Sequence, residues 1–151
     1  MAAPSFTHLM QGVAITTSSI LRSSSKSLED LKEARLLFEV EMVKTAAQRA
    51  SGNDIERLEA CHAAHIASMS DLSKFLHHDM LFHREIARIT GNSIFPVLSE
   101  SLIGWLGEFY RELVRLKGAE QLTISEHAQI LAGINSKNPA KAETAMRAHL
   151  N

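Results

Sequence analysis

The sequence predicts an all-α fold, an antiparallel bundle of six to seven helices, and three observations carry that expectation. Apolar residues recur at three- and four-residue steps through most of the chain, the spacing of one buried helix face. No segment alternates with the period of two that a half-buried strand needs. Only 7 Gly and 3 Pro occur in 151 residues, leaving long stretches without a helix breaker. A chain of this length fits one domain with a substantial core. Its 45% apolar and 22% charged residues are ordinary for a soluble globular protein.

The elements follow in order. Residues 1–27 read as an amphipathic segment, Phe6 to Leu21, then the serine cluster Ser23-Ser24-Ser25-Lys26-Ser27, too polar to fold alone and suited to lean on the main body or a partner subunit. Ser27 is suited to cap a long helix, Leu28 to Ala50, with Leu28, Leu31, Phe38 and Met42 on its stripe and Arg35 between Leu31 and Phe38. Ser51-Gly52-Asn53 is expected to end it. A second helix, Asp54 to Met69, shows Ile55, Leu58, Ile66 and Met69, and Ser70 opens the next. That one, Leu72 to Ile89, aligns Leu72, Phe75, Phe82, Ile86 and Ile89. Thr90-Gly91-Asn92-Ser93 reads as a stop and a restart. Ile94 to Leu116 carries Leu98, Leu102, Trp105, Phe109, Leu113 and Leu116 on one face, with Pro96 in its first turn and Gly118 beyond its end. Leu122 to Ile134 presents Ile124, Leu131 and Ile134. Pro139 starts the last helix, with Ala142, Ala145, Met146, His149 and Leu150.

Several function classes find no support. A formal charge of -1 gives no electrostatic case for direct nucleic-acid binding. No apolar run approaches the roughly 18 residues of a membrane span, and the start lacks the form of a secretion signal. A single cysteine, Cys61, excludes an intramolecular disulfide and agrees with a reducing, cytoplasmic setting. Signatures of serine hydrolases, zinc peptidases and phosphate loops are missing, and Glu-x-x-His occurs only at Glu59–His62, which argues against a di-iron bundle. The reading is not an enzyme.

Eight histidines are the unusual count. Asp79 lies on the apolar stripe of Leu72–Ile89, and His83 lies one turn on, about 40° round the axis. At i and i+4 both reach one point beside the helix. His127 and His149 fall on the buried stripes of later helices. Polar groups in apolar seams are costly unless satisfied. A shared divalent metal would satisfy all four, since carboxylate and neutral imidazole are ordinary ligands for Zn and its neighbours. The competing reading is a set of hydrogen-bonded core histidines. His62 and His65, at i and i+3 on the second helix, could also bind a metal, but no carboxylate shares their stripe. His77 and His78 are less well aligned. Arg35 cannot lose its charge in a core, so it pairs with Glu39, Glu41 or Glu108, or waits for the carboxylate of a small ligand. Trp105 is either core or a pocket wall.

Asp79-x-x-Phe82-His83-x-x-Ile86-Ala87, Thr90-Gly91-Asn92, Ser125-Glu126-His127-x-x-Ile130 and Ala145-Met146-Arg147-Ala148-His149-Leu150 resemble the FCD family. This is the all-helical C-terminal effector-binding domain of FadR-subfamily GntR transcription regulators. Leu31-x-x-x-Arg35-x-x-x-Glu39 resembles its first core helix, so the resemblance covers about residues 28–150. It implies a metal on Asp79, His83, His127 and His149, passing over His62 and His65. It also implies an organic acid on Arg35; Trp105, as a pocket wall, is the further candidate ligand-binding residue. Zn is the expected metal, with Ni, Mn or Fe also suited to the donors.

The expected organisation is a linker and leading helix over 1–27 and a metal- and ligand-binding domain over 28–151. The family's N-terminal winged helix-turn-helix is absent from this sequence, so DNA contact would need that missing domain. The sequence also ends two residues after His149, where the family helix continues. A homodimeric, cytoplasmic sensor of a small organic acid is the resulting expectation, with no membrane partner. The alternatives are a metal-dependent enzyme acting on a small carboxylic acid and a metal-free dimerisation module.

Overall fold

The computed structural model describes residues 5–21, 24–110 and 119–151. Among them are seven helices and no strand: α1 Phe6–Leu21, α2 Ser25–Arg49, α3 Gly52–Ala67, α4 Leu72–Ile89, α5 Phe95–Tyr110, α6 Ala119–Asn135 and α7 Pro139–Leu150. The expected all-α bundle is the observed one. The longest helix, α2, lies at its centre and packs on α4, α5, α6 and α7, while α1 lies against α5 and more lightly against α2.

Local chemistry sets the helix ends, in places not where the spacing predicts. Ser24, not Ser27, caps α2, its hydroxyl accepting from the Lys26 amide. Ser51-Gly52-Asn53 does not end α2 with a glycine; it starts α3. Ser51 and Asp54 form a reciprocal capping box there, which satisfies amides at the start of α3 that have no partner within the helix. Asp71, rather than Ser70, caps α4. Thr90 ends α4, and Gly91 turns the chain at φ +82°, a conformation glycine adopts freely. Asn138 caps α7, with Pro139 at the first position as expected. Leu113, Leu116 and Gly118 lie outside the described residues.

The core joins Val43, Leu58, Phe82, Ile86, Ile130 and Met146, drawn from five helices. Full burial of each such side chain contributes about 1.5–3 kcal/mol. Gly133 lets α6 and α7 approach closely, since a Cβ there would lie 2.7 Å from the backbone of Ala142. α3 turns a different face inward from the one its aliphatic residues suggest. Leu58 and His65, seven positions apart, are wholly buried, whereas Ile66 and Met69 are more than a third exposed. Four ionisable side chains among the described residues are no more than 1% exposed: Glu39, His65, His83 and His127. A buried polar group left without a partner costs about 1–3 kcal/mol, so their pairing decides whether the bundle tolerates them.

Candidate metal centre

Two adjacent turns of α4 direct Asp79 and His83 to one point; α6 brings His127 and α7 brings His149 to the same place. One donor atom of each of these four residues lies within 4.8 Å of every other. His149 Nε2 is 3.3 Å from both His83 Nε2 and His127 Nε2, and Asp79 Oδ1 is 3.4 Å from His127 Nε2. A tetrahedral Zn site with bonds of about 2.0–2.1 Å spaces its nitrogens about 3.3–3.4 Å apart. His83 and His127 are fully buried, Asp79 and His149 partly so.

The outward side of each ring decides what its inner nitrogen can be. His83 Nδ1 lies 2.9 Å from Glu39 Oε2, and His149 Nδ1 lies 2.8 Å from Glu126 Oε2. A carboxylate only accepts, so both rings donate outward from Nδ1. Were both rings neutral, they would present bare Nε2 lone pairs to each other at 3.3 Å, where no hydrogen bond is possible. Moving a proton onto His127 Nε2 could satisfy Asp79, but not this pair. The donor set therefore fits a divalent cation on the histidines and Asp79.

Electrostatics hold Glu39 ionised and favour neutral rings at His127 and His149. Burial would raise the Glu39 carboxyl, yet His83 and Arg35 outweigh it and hold Glu39 at about 2. Burial drives His127 well below its ordinary 6.5, with His83 and His149 adding to the effect. His149 is lowered by burial and by His83, against the opposing pull of Asp79 and Glu126. His65, pushed down to about 4 chiefly by burial, faces His127 with the two Nδ1 atoms 3.2 Å apart.

Arg35 takes the first of its expected partners: its Nε donates to Glu39 Oε1 at 3.3 Å, and Glu39 carries the contact on to His83. The same arginine lines a cavity of about 690 Å³, with Asp79 and His149 on another part of its wall and Phe75, Met80 and Ile103 supplying apolar surface. Trp105 is not among the described lining residues. It packs beside Leu31 and Leu106, and its indole N–H has no hydrogen-bond partner among the described residues.

His62 and His77 separate from the cluster. His62 Nε2 is bonded to the Ile124 carbonyl at 3.1 Å, and His77 is exposed at the cavity wall. Sequence reasoning left Glu39 as one of three candidate partners for Arg35 and missed Glu126 and His65 as supports of the ligand set. For His65 the available signal was its seven-residue step from Leu58. For Glu126 nothing marks an acid beside a histidine as special.

The FCD domain family matches residues 30–151. The HTH-type transcriptional repressor NanR of Cronobacter sakazakii is 32% identical over 122 residues, 80% of this chain and 47% of that protein. NanR of an Enterobacter species is 31% identical over an equal span. The chain thus spans about half the length of the curated relatives it matches. Among solved structures, Streptococcus agalactiae GntR superposes with a TM-score of 0.65 at 26% identity, over 80% of this chain and 55% of that one. McbR/YncC of E. coli gives 0.75 at 15% identity, over 84% and 62%, a likeness of fold alone. A match over four-fifths of the sequence, in the order of helices seen here, assigns the chain to the FCD domain family.

Proposed function

We propose that this chain is the effector-sensing and dimerisation domain of a GntR-family transcription regulator. In this reading Asp79, His83, His127 and His149 hold one divalent metal, and a small organic acid occupies the adjoining cavity against Arg35. One observation carries the reading. Two imidazoles whose Nδ1 atoms are held by carboxylates turn their Nε2 atoms toward each other at 3.3 Å, beside a third imidazole and an aspartate. A divalent ion held by these four residues would supply positive charge, and an oxygen ligand would enter as a fifth donor. Zn is the expected metal, with Ni, Mn or Fe as alternatives.

The chain's own residues then do two things. They order the junction of α4, α6 and α7, and they connect it to the cavity through Arg35, Glu39 and His83. An acid that engages Arg35 alters the guanidinium shared with Glu39, so effector and metal affinities are linked reciprocally. Binding would shift the packing of these helices and so the spacing of DNA-reading domains in a dimer. Residues 28–151 form the sensing domain and 1–27 the linker and leading helix. Operator contact belongs to a winged helix-turn-helix domain outside this sequence, and the setting is cytoplasmic. The repressor relatives favour a sensor over a catalyst.

Metal analysis and a chelator melt test the reading. We expect about one divalent metal per chain. At free metal a hundredfold above Kd the linkage is about 2.7 kcal/mol. At about 2–4 °C per kcal/mol for a domain of this size, chelation should lower Tm by roughly 5–11 °C. No metal and an unchanged melt reject the site. Separately, Arg35→Ala should abolish thermal stabilisation by a lactate, a sugar acid or a dicarboxylate while metal content is kept. Retained stabilisation by an acid that protects the unaltered protein would place that ligand elsewhere.

A further inference from the structure

A histidine that offers Nε2 to a cation must carry its proton on Nδ1, and a buried Nδ1–H needs an acceptor. Two of the three rings use carboxylates for this, Glu39 for His83 and Glu126 for His149. His127 has neither. Among the described residues the hydrogen-bond partner of its Nδ1 is His65 Nδ1, at 3.2 Å. Both rings are wholly buried, and they come from α6 and α3.

We propose that His65 is the positioning residue for His127: its Nδ1 accepts the His127 Nδ1–H and fixes the tautomer whose Nε2 faces Asp79 and His149. This rests on the metal-centre reading above. A second observation supports it. If His65 accepts at Nδ1, its own proton sits on Nε2, and that atom is buried with no hydrogen-bond partner among the described residues. Packing alone gives no reason for such an orphan, because an aliphatic side chain would fill the place without one. A tautomer-fixing role does, since the orphan is the consequence of leaving Nδ1 bare for His127.

The surroundings hold His65 for this task. The Phe75 ring lies against it, with centroids 4.1 Å apart. Both the hydroxyl and the amide of Ser68 donate to its backbone carbonyl, closing the last turn of α3. His127 is itself stacked on Phe82 at 4.2 Å, with the rings inclined by 10°. Each imidazole therefore has an aromatic neighbour that limits its tilt, and the two Nδ1 atoms are left facing. The outcome is a ligand whose outer partner is neutral, whereas the outer partners of the other two rings are carboxylates.

The test uses the whole chain and Zn²⁺ alone. In zinc-loaded, ¹⁵N-labelled protein, long-range ¹H–¹⁵N spectra should show His127 protonated at Nδ1 and His65 protonated at Nε2 with Nδ1 bare. A proton on His65 Nδ1 overturns the proposal without any variant. Competition with a chelating dye should then show Zn²⁺ affinity reduced roughly 10–100-fold in His65→Leu. His65→Gln, whose amide oxygen can still accept, should recover most of that loss. A folded His65→Leu protein with wild-type affinity overturns the proposal while leaving the metal centre standing. Failure of the unaltered protein to bind Zn²⁺ would instead defeat the metal-centre reading, and this inference with it.

Discussion

The candidate centre has two layers, and they differ in how alike their members are. The inner one is nearly uniform: three imidazole nitrogens and one carboxylate oxygen gathered from α4, α6 and α7. The outer one is not. Glu39 is wholly buried and shared with Arg35, Glu126 is about one-fifth exposed, and His65 is a buried neutral ring. Chemically similar donors are thus made inequivalent by what stands behind them. His83 is anchored by an ion-paired carboxylate, His149 by a carboxylate open to solvent, and His127 by another imidazole.

The hardest test of that ranking removes the best-anchored support. Glu39→Leu would leave the Arg35 guanidinium and the His83 Nδ1–H facing an apolar side chain, in a place nearly closed to water. Breaking a buried ionic pair by deleting one partner costs about 3–5 kcal/mol. We expect a loss of that size in denaturant unfolding, together with metal affinity lower by roughly 10–100-fold. A loss under about 1 kcal/mol, the size of an ordinary hydrogen bond, would mean that Arg35 and His83 find other partners and that the ranking is wrong.

The same layering explains what could be read in the sequence. The seams of α4, α6 and α7 are marked by aliphatic residues, so a polar residue at a seam position stands out; Asp79, His83, His127 and His149 did so from periodicity. The four do converge. The outer supports do not announce themselves this way. Glu39 lies on α2, whose central position buries Val40 and Val43 as well as the expected Leu31 and Met42, so no single stripe separates its inside from its outside. Glu126 reads as a surface acid in the absence of the α7 histidine it meets. On α3 and in the turn after it the apolar residues misled: Ile66 and Met69 remain exposed, while His65 takes the inward position because a polar partner waits there. Helix existence was legible because breakers and caps are local. Helix facing was not, because it depends on neighbours far along the chain.

A pH series separates the layers by chemistry. His65, His127 and His149 are all held below the ordinary 6.5, burial being the main cause, and His65 lies at about 4. The unfolded chain therefore binds protons near 6.5 that the folded chain refuses, and stability must rise with pH across that window. Their contribution is complete above about 6.5 and is lost as pH falls below it, for His65 by about 4. Glu39, at about 2 against an ordinary 4.5, keeps its contribution through that range and loses it only as pH falls from 4.5 toward 2. Chelated protein should show a lower Tm at pH 5 than at pH 7, with a further decline below 4.5. A melt unchanged between pH 7 and 5 would mean that the buried rings are not held neutral.

The smallest effect is expected at Glu126. Its carboxylate is about one-fifth exposed and meets His149 Nδ1 at 2.8 Å, so water can replace part of what a substitution removes. Glu126→Gln keeps an oxygen able to accept from Nδ1 and loses only the charge. We expect about 1 kcal/mol or less in unfolding, the range of an ordinary hydrogen bond. Metal affinity should fall less than in the Glu39 variant, because His149 keeps its tautomer. If competition experiments instead give the two variants equal losses, keeping an acceptor at Nδ1 does not protect the arm, because Glu126→Gln keeps one and Glu39→Leu does not. The negative charge of the outer carboxylate, and not hydrogen-bond acceptance alone, would then set the strength of each arm.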